Sequence, residues 1–321
     1  MNPVRNPSSS DNGRHLRRLT SNGVNLKMFW NIVLGLVLFL LFTSLWGFYI
    51  SIKPPKIVSD ITPESLGLDY EEVTFTTADV VKIAGWWIPS SAKASAGAKA
   101  LADKSEGKPA KTIILLHGYP ADKGDILPAL AFLNKKYNLL LFDFRYLGQS
   151  EGRYSTVGVK ETEDLQAAVN FLKSRGVSEV GVWGLSMGGA VALTTAVRTP
   201  EIKAIVSESS YARLDLMANE LYRIPLLKYP LAKLTLLWTR IFLGINASDA
   251  TPYESVKNLN IPILLIHSTN DEVIPWRHAE LLQEALKNNP KAEFWFQENL
   301  VHGQLGEEYQ KRIEDFFERN L

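Results

Sequence analysis

The longest apolar segment of the chain runs from Met28 to Ile52 and contains no charged residue. As a helix rising about 1.5 Å per residue, this segment is long enough to cross the hydrocarbon core of a bilayer. Trp30 lies near one end, and Trp46 and Tyr49 lie near the other, where aromatic rings favour the membrane interface. The pattern therefore predicts a single N-terminal transmembrane helix at residues 28–52.

A cleavable signal peptide is the alternative interpretation of this segment. Its apolar core would be shorter, and a cleavage site between small residues would follow it. Here the run is long and ends with bulky residues such as Trp46 and Phe48, so we expect an uncleaved anchor.

The residues before the span, 1–27, are polar, rich in turn-forming residues and without an apolar period, which predicts a disordered tail. Basic residues in this tail outnumber Lys53 and Lys56, which follow the span closely; those in the tail nearest the span are Arg14, Arg17, Arg18 and Lys27. The positive-inside rule then predicts a cytoplasmic N-terminus and an extracytoplasmic domain. If translation starts at Met28, the asymmetry disappears.

Beyond the span, the apolar pattern alternates between strand and helix periods. Two strand-like runs, 72–77 and 80–88, predict an antiparallel hairpin. Continuous apolar runs separated by helical spacing are typical of a parallel sheet covered on both faces. These runs occupy 112–116, 139–144, 180–185, 204–207, 263–267 and 293–296. The predicted fold class is therefore α/β, with a mostly parallel sheet, helices on both faces and an N-terminal antiparallel hairpin.

Two segments interrupt this alternation. Residues 211–249 are apolar and helix-favouring, contain several prolines and have no strand pattern, which predicts a small helical cap over the strand ends. Residues 90–110 are rich in Ala, Ser, Lys and Gly and predict a mobile surface loop. The domains expected are the tail, the anchor at 28–52, and a domain at 53–321 that carries the cap insertion.

Composition narrows the chemistry. The 321 residues, 46% of them hydrophobic and 21% charged, suit one large folded domain with a short appendage. A formal charge of +1 gives no electrostatic reason to expect nucleic acid as a partner. The chain has no Cys, which excludes disulfides, thiolate catalysis and Cys-based metal sites. Without an H-E-x-x-H motif or a phosphate loop, neither a metal nor a nucleotide cofactor is implied.

The strongest chemical motif is G-x-S-x-G, at residues 184–188, between a predicted strand and a predicted helix. A strand that turns abruptly into a helix holds one side chain at the apex of a strained turn, and the flanking glycines avoid collisions there. Ser186 at that apex is a candidate nucleophile, and the amide of Met187 would point toward a developing oxyanion. A chance match in a glycine-rich turn is the alternative.

Other polar residues follow the strands at the same end of the sheet. After the strand at 112–116, the amide of Tyr119 could supply a second oxyanion donor, whereas we expect His117 to be structural. Asp271 follows the strand at 263–267, and His302 follows the last strand, where an acid and a general base are needed. Alternatively, Asp271 caps a helix and His302 is a loop residue. The chain order Ser, Asp, His, each after a strand, favours catalysis.

The segments HGYP, DFRYLGQSEG, GLSMGG, HSTNDEVIP and VHG resemble the marker segments of the α/β-hydrolase superfamily. More narrowly, the segments at 62–76 and 85–89 resemble those of its membrane-anchored serine hydrolases. The resemblance covers the chain from about residue 60 onward. It implies an α/β-hydrolase fold and a structural role for Asp143 and Arg145. It also implies a set of site residues: the triad Ser186, Asp271 and His302, with the amides of Tyr119 and Met187 as oxyanion hole.

We therefore expect a serine hydrolase that cleaves a small acyl ester or thioester, lipid-like substrates included, through an acyl-enzyme intermediate. The sequence contains nothing that resembles a recognition site for a charged peptide terminus, which favours esters over peptides. A serine peptidase, amidase or acyltransferase on the same triad remains an alternative. A non-catalytic binding domain is a further alternative, against which the intact triad argues.

Overall fold

A twisted eight-stranded sheet forms the centre of the protein in the computed structural model, which describes residues 11–91, 111–249 and 251–321. The strand order is β1-β2-β4-β3-β5-β6-β7-β8. In chain order the strands are β1 (Glu71–Thr76), β2 (Lys82–Ile88), β3 (Thr112–Leu116), β4 (Asn138–Phe142), β5 (Val180–Leu185), β6 (Ile202–Glu208), β7 (Ile263–Ser268) and β8 (Ala292–Gln297).

Strand directions follow the prediction. β1 pairs antiparallel with β2, and β2 pairs antiparallel with β4. All the remaining neighbours are parallel. Every residue of β3, β4 and β7 is buried, because helices cover both faces of the sheet and the strands are apolar throughout. The predicted α/β fold with a mostly parallel sheet and an N-terminal hairpin is confirmed.

The helices form two layers. They are α1 (Asp11–Ile52), α2 (Lys123–Leu130), α3 (Glu161–Ser174), α4 (Met187–Thr195), α5 (Leu214–Met217), α6 (Lys228–Leu243), α7 (Pro252–Ser255), α8 (Arg277–Leu286) and α9 (Tyr309–Asn320). Leu165 of α3, Val191 of α4 and Leu282 of α8 belong to one hydrophobic core. Leu127 of α2 and Phe316 of α9 belong to a second core on the opposite face.

Asp143 and Arg145, after β4, support the sheet end through buried ion pairs. Asp143 Oδ2 lies 2.7 Å from Lys123 Nζ and also accepts the amide of Gln149. Arg145 donates to Asp164 at 2.8 Å. These contacts fit the structural role that the resemblance implies.

The N-terminal helix α1 begins at Asp11, inside the segment that the sequence predicts as a disordered tail. The structure thus differs from that prediction at 11–27, while residues 1–10 lie outside the described part of the chain. Extending an existing helix requires no new nucleation step, so the helix of the apolar span can continue into the polar residues that precede it. The part of α1 from Asn25 to Ile52 is long and apolar enough to cross a membrane.

The cap contains α5, α6 and a short 3-10 helix at Ala247–Asp249, and its described residues form no strand. Its α6 packs along α1, and a small hydrophobic cluster joins the two: Tyr222, Leu231 and Ala232, with Leu40 of α1 packed against them. Most of the predicted surface loop at 90–110 lies outside the described residues.

Candidate active site

Ser186 lies at the sharp turn between β5 and α4. Its φ of 54° and ψ of −115° are strained for a residue with a side chain. A Cβ at Gly184 would lie 2.4 Å from the carbonyl carbon of Gly188, and one at Gly188 would lie 2.5 Å from Leu116 O. Only glycine fits at both positions, so the G-x-S-x-G spacing is a requirement of this turn.

Hydrogen bonds hold the backbone of Ser186 in this conformation. Its amide donates to Glu208 O at 2.8 Å, and its carbonyl accepts from Ala190 N at 3.1 Å. The next residue, Met187, is the first of α4, where amides lack partners within the helix and the helix dipole favours negative charge. The predicted oxyanion donor Met187 therefore stands directly beside the candidate nucleophile.

The loop after β3 lies against Ser186. A Cβ at Gly118 would lie 3.4 Å from Ser186 Cβ, which brings the predicted second oxyanion donor, Tyr119, next to the turn. The Tyr119 hydroxyl donates to Ser51 O at 2.8 Å, at the end of α1. This contact ties the loop after β3 to the end of α1.

His117 is structural in its contacts. Its Nε2 accepts the amide of Phe144 at 3.0 Å, so Nδ1 carries the proton and donates to Gly118 O at 2.7 Å. Complete burial lowers the pKa of His117 and favours this neutral ring.

Asp271, directly after β7, forms the contact expected of a triad acid. Its Oδ2 and Oδ1 lie 2.8 Å and 3.0 Å from His302 Nδ1. Oδ1 also accepts the amides of Val273 at 3.0 Å and Ile274 at 2.8 Å, in the turn before α8, whose N-cap residue is Trp276 and not Asp271. Burial acts to raise the pKa of Asp271, but the hydrogen bonds from His302 and Ile274 outweigh it and the pKa is lowered.

His302 stands on the loop after β8, and its backbone and ring are both held. Its amide donates to Glu272 Oε2 at 3.1 Å, while its Nδ1 faces Asp271. A Cβ at the next residue, Gly303, would lie 3.5 Å from Leu185 Cδ2, so the loop rests on the residue that precedes Ser186. With Nδ1 donating to the carboxylate, the lone pair for proton transfer is on Nε2.

The structure thus brings Asp271 and His302 into contact and places Ser186, Tyr119 and Met187 together at the neighbouring turn. Within the described part of the chain, no hydrogen bond joins Ser186 Oγ to the His302 ring. Such contacts are often long in enzymes without substrate and tighten when one binds. The contact between nucleophile and base remains a prediction.

Two further histidines, His278 and His267, have backbone groups as their hydrogen-bond partners. His278 Nδ1 accepts the amide of Ala212 at 3.0 Å, and burial lowers its pKa to about 4. His267 Nε2 donates to Ile274 O at 2.9 Å. His267 thus supports the loop that contains Asp271, and His278 supports the loop after β6.

Sequence reasoning missed a buried carboxyl beneath the site. Glu208 ends β6, and its Oε2 accepts a hydrogen bond from the hydroxyl of Tyr309. That hydroxyl accepts in turn from Trp183 Nε1 at 3.0 Å. Burial raises the pKa of Glu208 to about 7, while the charges of His302 and Asp271 act on it in opposite directions. An acidic residue shortly after the apolar run at 204–206 was the available signal.

Comparisons with known proteins identify relatives of this chain. A family model described as alpha/beta hydrolase fold matches residues 111–237. The uncharacterized protein YfhR of Escherichia coli strain K12 is 32% identical over 230 residues, which cover 69% of each chain. The esterase Pf2001 of Pyrococcus furiosus shares 30% identity with a TM-score of 0.66, over 84% of this chain and 99% of its own.

A more distant solved structure shares the fold alone. The acylaminoacyl peptidase of Pyrococcus horikoshii has a TM-score of 0.56 at 18% identity, over 79% of this chain and 42% of its own. The chain belongs to the α/β-hydrolase superfamily. The family and the esterase structure together support a hydrolase.

Proposed function

We propose that the protein is a serine hydrolase that cleaves a carboxylic ester or a thioester, with Ser186, His302 and Asp271 as its triad. The observation that carries the proposal is the contact of 2.8 Å between His302 Nδ1 and Asp271, on a loop that rests against the turn bearing Ser186. The name of the Pyrococcus furiosus esterase, at 30% identity over 84% of this chain, supports the choice of an ester.

In the first half-reaction, His302 Nε2 takes the proton of Ser186 Oγ as this oxygen attacks the acyl carbonyl carbon. The carbonyl oxygen becomes an oxyanion, which the amides of Tyr119 and Met187 stabilise. Asp271 keeps the proton of His302 on Nδ1 and stabilises the imidazolium. Collapse of the intermediate breaks the ester or thioester bond, and the alcohol or thiol leaves with the proton from Nε2.

In the second half-reaction, water replaces the leaving group. His302 Nε2 takes a proton from the water, whose oxygen attacks the acyl-enzyme carbonyl. The second tetrahedral intermediate uses the same two amides, and its collapse returns the proton to Ser186 Oγ. The products are the free acid and the regenerated enzyme.

The site is proposed to work at a membrane. The length and apolar composition of α1 from Asn25 to Ile52 support a single-pass anchor, and the basic residues that precede it support an extracytoplasmic hydrolase domain. The expected substrate is a small or lipid-like acyl compound.

A covalent serine probe tests the nucleophile directly. The full chain should react with a fluorophosphonate, and Ser186→Ala should abolish both this labelling and the hydrolysis of p-nitrophenyl esters. Loss of a triad serine lowers kcat on the order of a million-fold. Ser174→Ala is the matched control, because Ser174 is an exposed serine whose hydroxyl donates only to Phe171 O in α3. Labelling that survives in Ser186→Ala would place the nucleophile elsewhere.

A further inference from the structure

The cap helix α6 lies side by side with the second half of α1. Trp238 Nε1 donates to Ser44 Oγ at 3.0 Å, and the rings of Phe48 and Phe242 stack with centroids 5.7 Å apart. The residue numbers of both pairs rise together, so the two helices run in the same direction. A stretch of α6 therefore accompanies the last turns of the helix that is apolar enough to cross a membrane.

The fit between the cap and α1 is close. The Tyr222 hydroxyl bonds to Thr235 Oγ1 at 2.6 Å and donates to Ser44 O at 3.4 Å. A Cβ at Gly47 would lie 2.0 Å from that hydroxyl, so only glycine admits it. Ser44 is fully buried; its carbonyl accepts from Thr235 and its hydroxyl from Trp238 of the cap, while the hydroxyl donates to Leu41 O within α1. The cap covers one side of α1, whereas the other side of α1 is exposed.

The outer side of α6 exposes large apolar side chains: Leu237, Ile241 and Phe242 are 46%, 57% and 59% exposed. They continue the exposed apolar surface of α1. The sixteen residues of α6 include no acidic residue, and its cationic side chains are Lys228, Lys233 and Arg240. An apolar surface without acidic residues suits contact with lipid, and the long stems of Lys and Arg let their charges reach the headgroups.

We propose that this outer side of α6 docks into the interface of the bilayer that α1 crosses, so that the cap is a second membrane contact. The place of α6 beside α1 indicates that the partner of its outer side is a lipid bilayer. A bilayer that surrounds the free side of α1 around Ser44 and Phe48 meets the helix packed at the same level. Arg240, between Trp238 and Phe242, lies at the level of residues 44–48 of α1, near the end of the span, where it suits anionic lipid headgroups. This inference rests on the proposal that α1 is a membrane anchor.

The docking has a consequence for the substrate. In the last turn of α1, Ser51 O accepts a hydrogen bond of 2.8 Å from the hydroxyl of Tyr119, whose amide is one of the two proposed oxyanion donors. The candidate site is thereby fixed close to the membrane surface from two sides, by the end of α1 and by the cap. Acyl compounds dissolved in the bilayer are the substrate class that this arrangement favours.

The lack of Cys in the chain makes a direct test simple, because every introduced Cys is a unique labelling site. Leu237→Cys and Ile241→Cys report on α6. Phe39→Cys reports on the exposed side of α1. Val197→Cys, on the hydrolase domain, is the matched control, because Val197 and Phe39 are each 49% exposed, close to the exposure of Leu237.

The full-length variants are spin-labelled and reconstituted in vesicles of equal parts phosphatidylcholine and phosphatidylglycerol. Collisions of each label with oxygen, which concentrates in lipid, are compared with collisions with a water-soluble nickel chelate. The proposal expects labels at 237 and 241 to resemble the label at 39, with an oxygen-to-nickel ratio several-fold above that at 197.

Three results would overturn the proposal. Labels at 237 and 241 that match 197, while 39 is in lipid, would leave the anchor intact and remove the docking. Dipolar broadening between labels at 237 would mean that a second copy of the chain covers the surface. A water-exposed label at 39 would reject the anchor itself. Ester hydrolysis by the labelled protein tests the proposed serine hydrolase activity separately.

Discussion

At the scale of single residues, the candidate site depends on how Asp271 orders the imidazole of His302. The carboxylate is held by two backbone amides and faces Nδ1 of the His302 ring. The lowered pKa keeps Asp271 ionised at neutral pH. A carboxylate so placed fixes the tautomer and stabilises the imidazolium in the transition state.

Asp271→Asn should lower kcat roughly ten-thousand-fold, because the amide nitrogen can face Nδ1 and favour the wrong tautomer. Steady-state hydrolysis of a p-nitrophenyl ester measures the loss, and the unfolding temperature shows whether the fold is kept. Glu272→Gln is the matched control: its side chain accepts only the backbone amide of His302, which a glutamine oxygen still can do. An Asp271→Asn protein with parental kcat would remove Asp271 from the triad.

The raised pKa of Glu208 predicts that the stability of the protein depends on pH. Its pKa is about 7 in the folded chain, above the ordinary value that it has when unfolded. Between these two pH values the folded state holds a proton that the unfolded state has released. Stability therefore falls as pH rises through this window, by on the order of 3 kcal/mol at most.

Glu208→Gln should remove this loss, because glutamine stays neutral and its oxygen still accepts from Tyr309. The unfolding temperature of the variant relative to the parent should rise between about pH 5 and about pH 8. Glu72→Gln, at an exposed position of β1, should show no such trend. A difference between Glu208→Gln and parent that is constant with pH would contradict the raised pKa.

At the scale of elements, the turn between β5 and α4 is limited by space. A Cβ at Gly188 would lie 2.5 Å from the backbone oxygen of Leu116 and 2.8 Å from that of His117. Leu116 ends the neighbouring strand β3, and His117 begins the loop that carries Tyr119. Backbone cannot move aside as a flexible side chain can. The glycine is thus required both for stability and for the alignment of the two amides proposed as the oxyanion hole.

Gly188→Ala should lower stability by about 1–3 kcal/mol, the usual cost of overpacking, and should lower kcat further than the unfolded fraction explains. Thermal unfolding and ester hydrolysis on the same samples separate the two effects. Gly35→Ala is the control, because a Cβ there meets nothing within 4 Å. Unchanged stability and activity in Gly188→Ala would mean that the turn tolerates a wider separation from β3.

The sequence was informative about elements where local patterns decide them. The bounds of β3 and β5 agree with the prediction, because short continuous apolar runs between polar breaks define buried strands. The position of Asp271 and His302 after successive parallel strands also implied that they meet. In contrast, the Ser44–Trp238 contact joins segments far apart in the chain, and no periodicity encodes such a pairing. Glu208 was missed because its partners, Tyr309 and Trp183, are distant in sequence too.

At the scale of the whole molecule, α1 is both an extension of the hydrolase domain and a candidate anchor. Its end is tied to the domain by Tyr119 at Ser51 and by the amide of Ser155, which donates to Ile52 O at 2.9 Å. The helix therefore leaves the domain in a fixed direction. The orientation of the anchor decides on which side of the membrane the candidate site works.

The charge asymmetry of α1 predicts that the domain is extracytoplasmic. Protease added to intact cells that express the full chain should remove the domain, while a cytoplasmic marker protein survives. Before digestion, the membrane fraction should contain the uncleaved chain. Replacing Arg14, Arg17 and Arg18 by Gln reduces the positive charge ahead of the span, so a larger protected fraction is expected. A domain that resists protease until the cells are lysed would reverse the orientation, and a mature chain that begins after Trp46 would replace the anchor with a signal peptide.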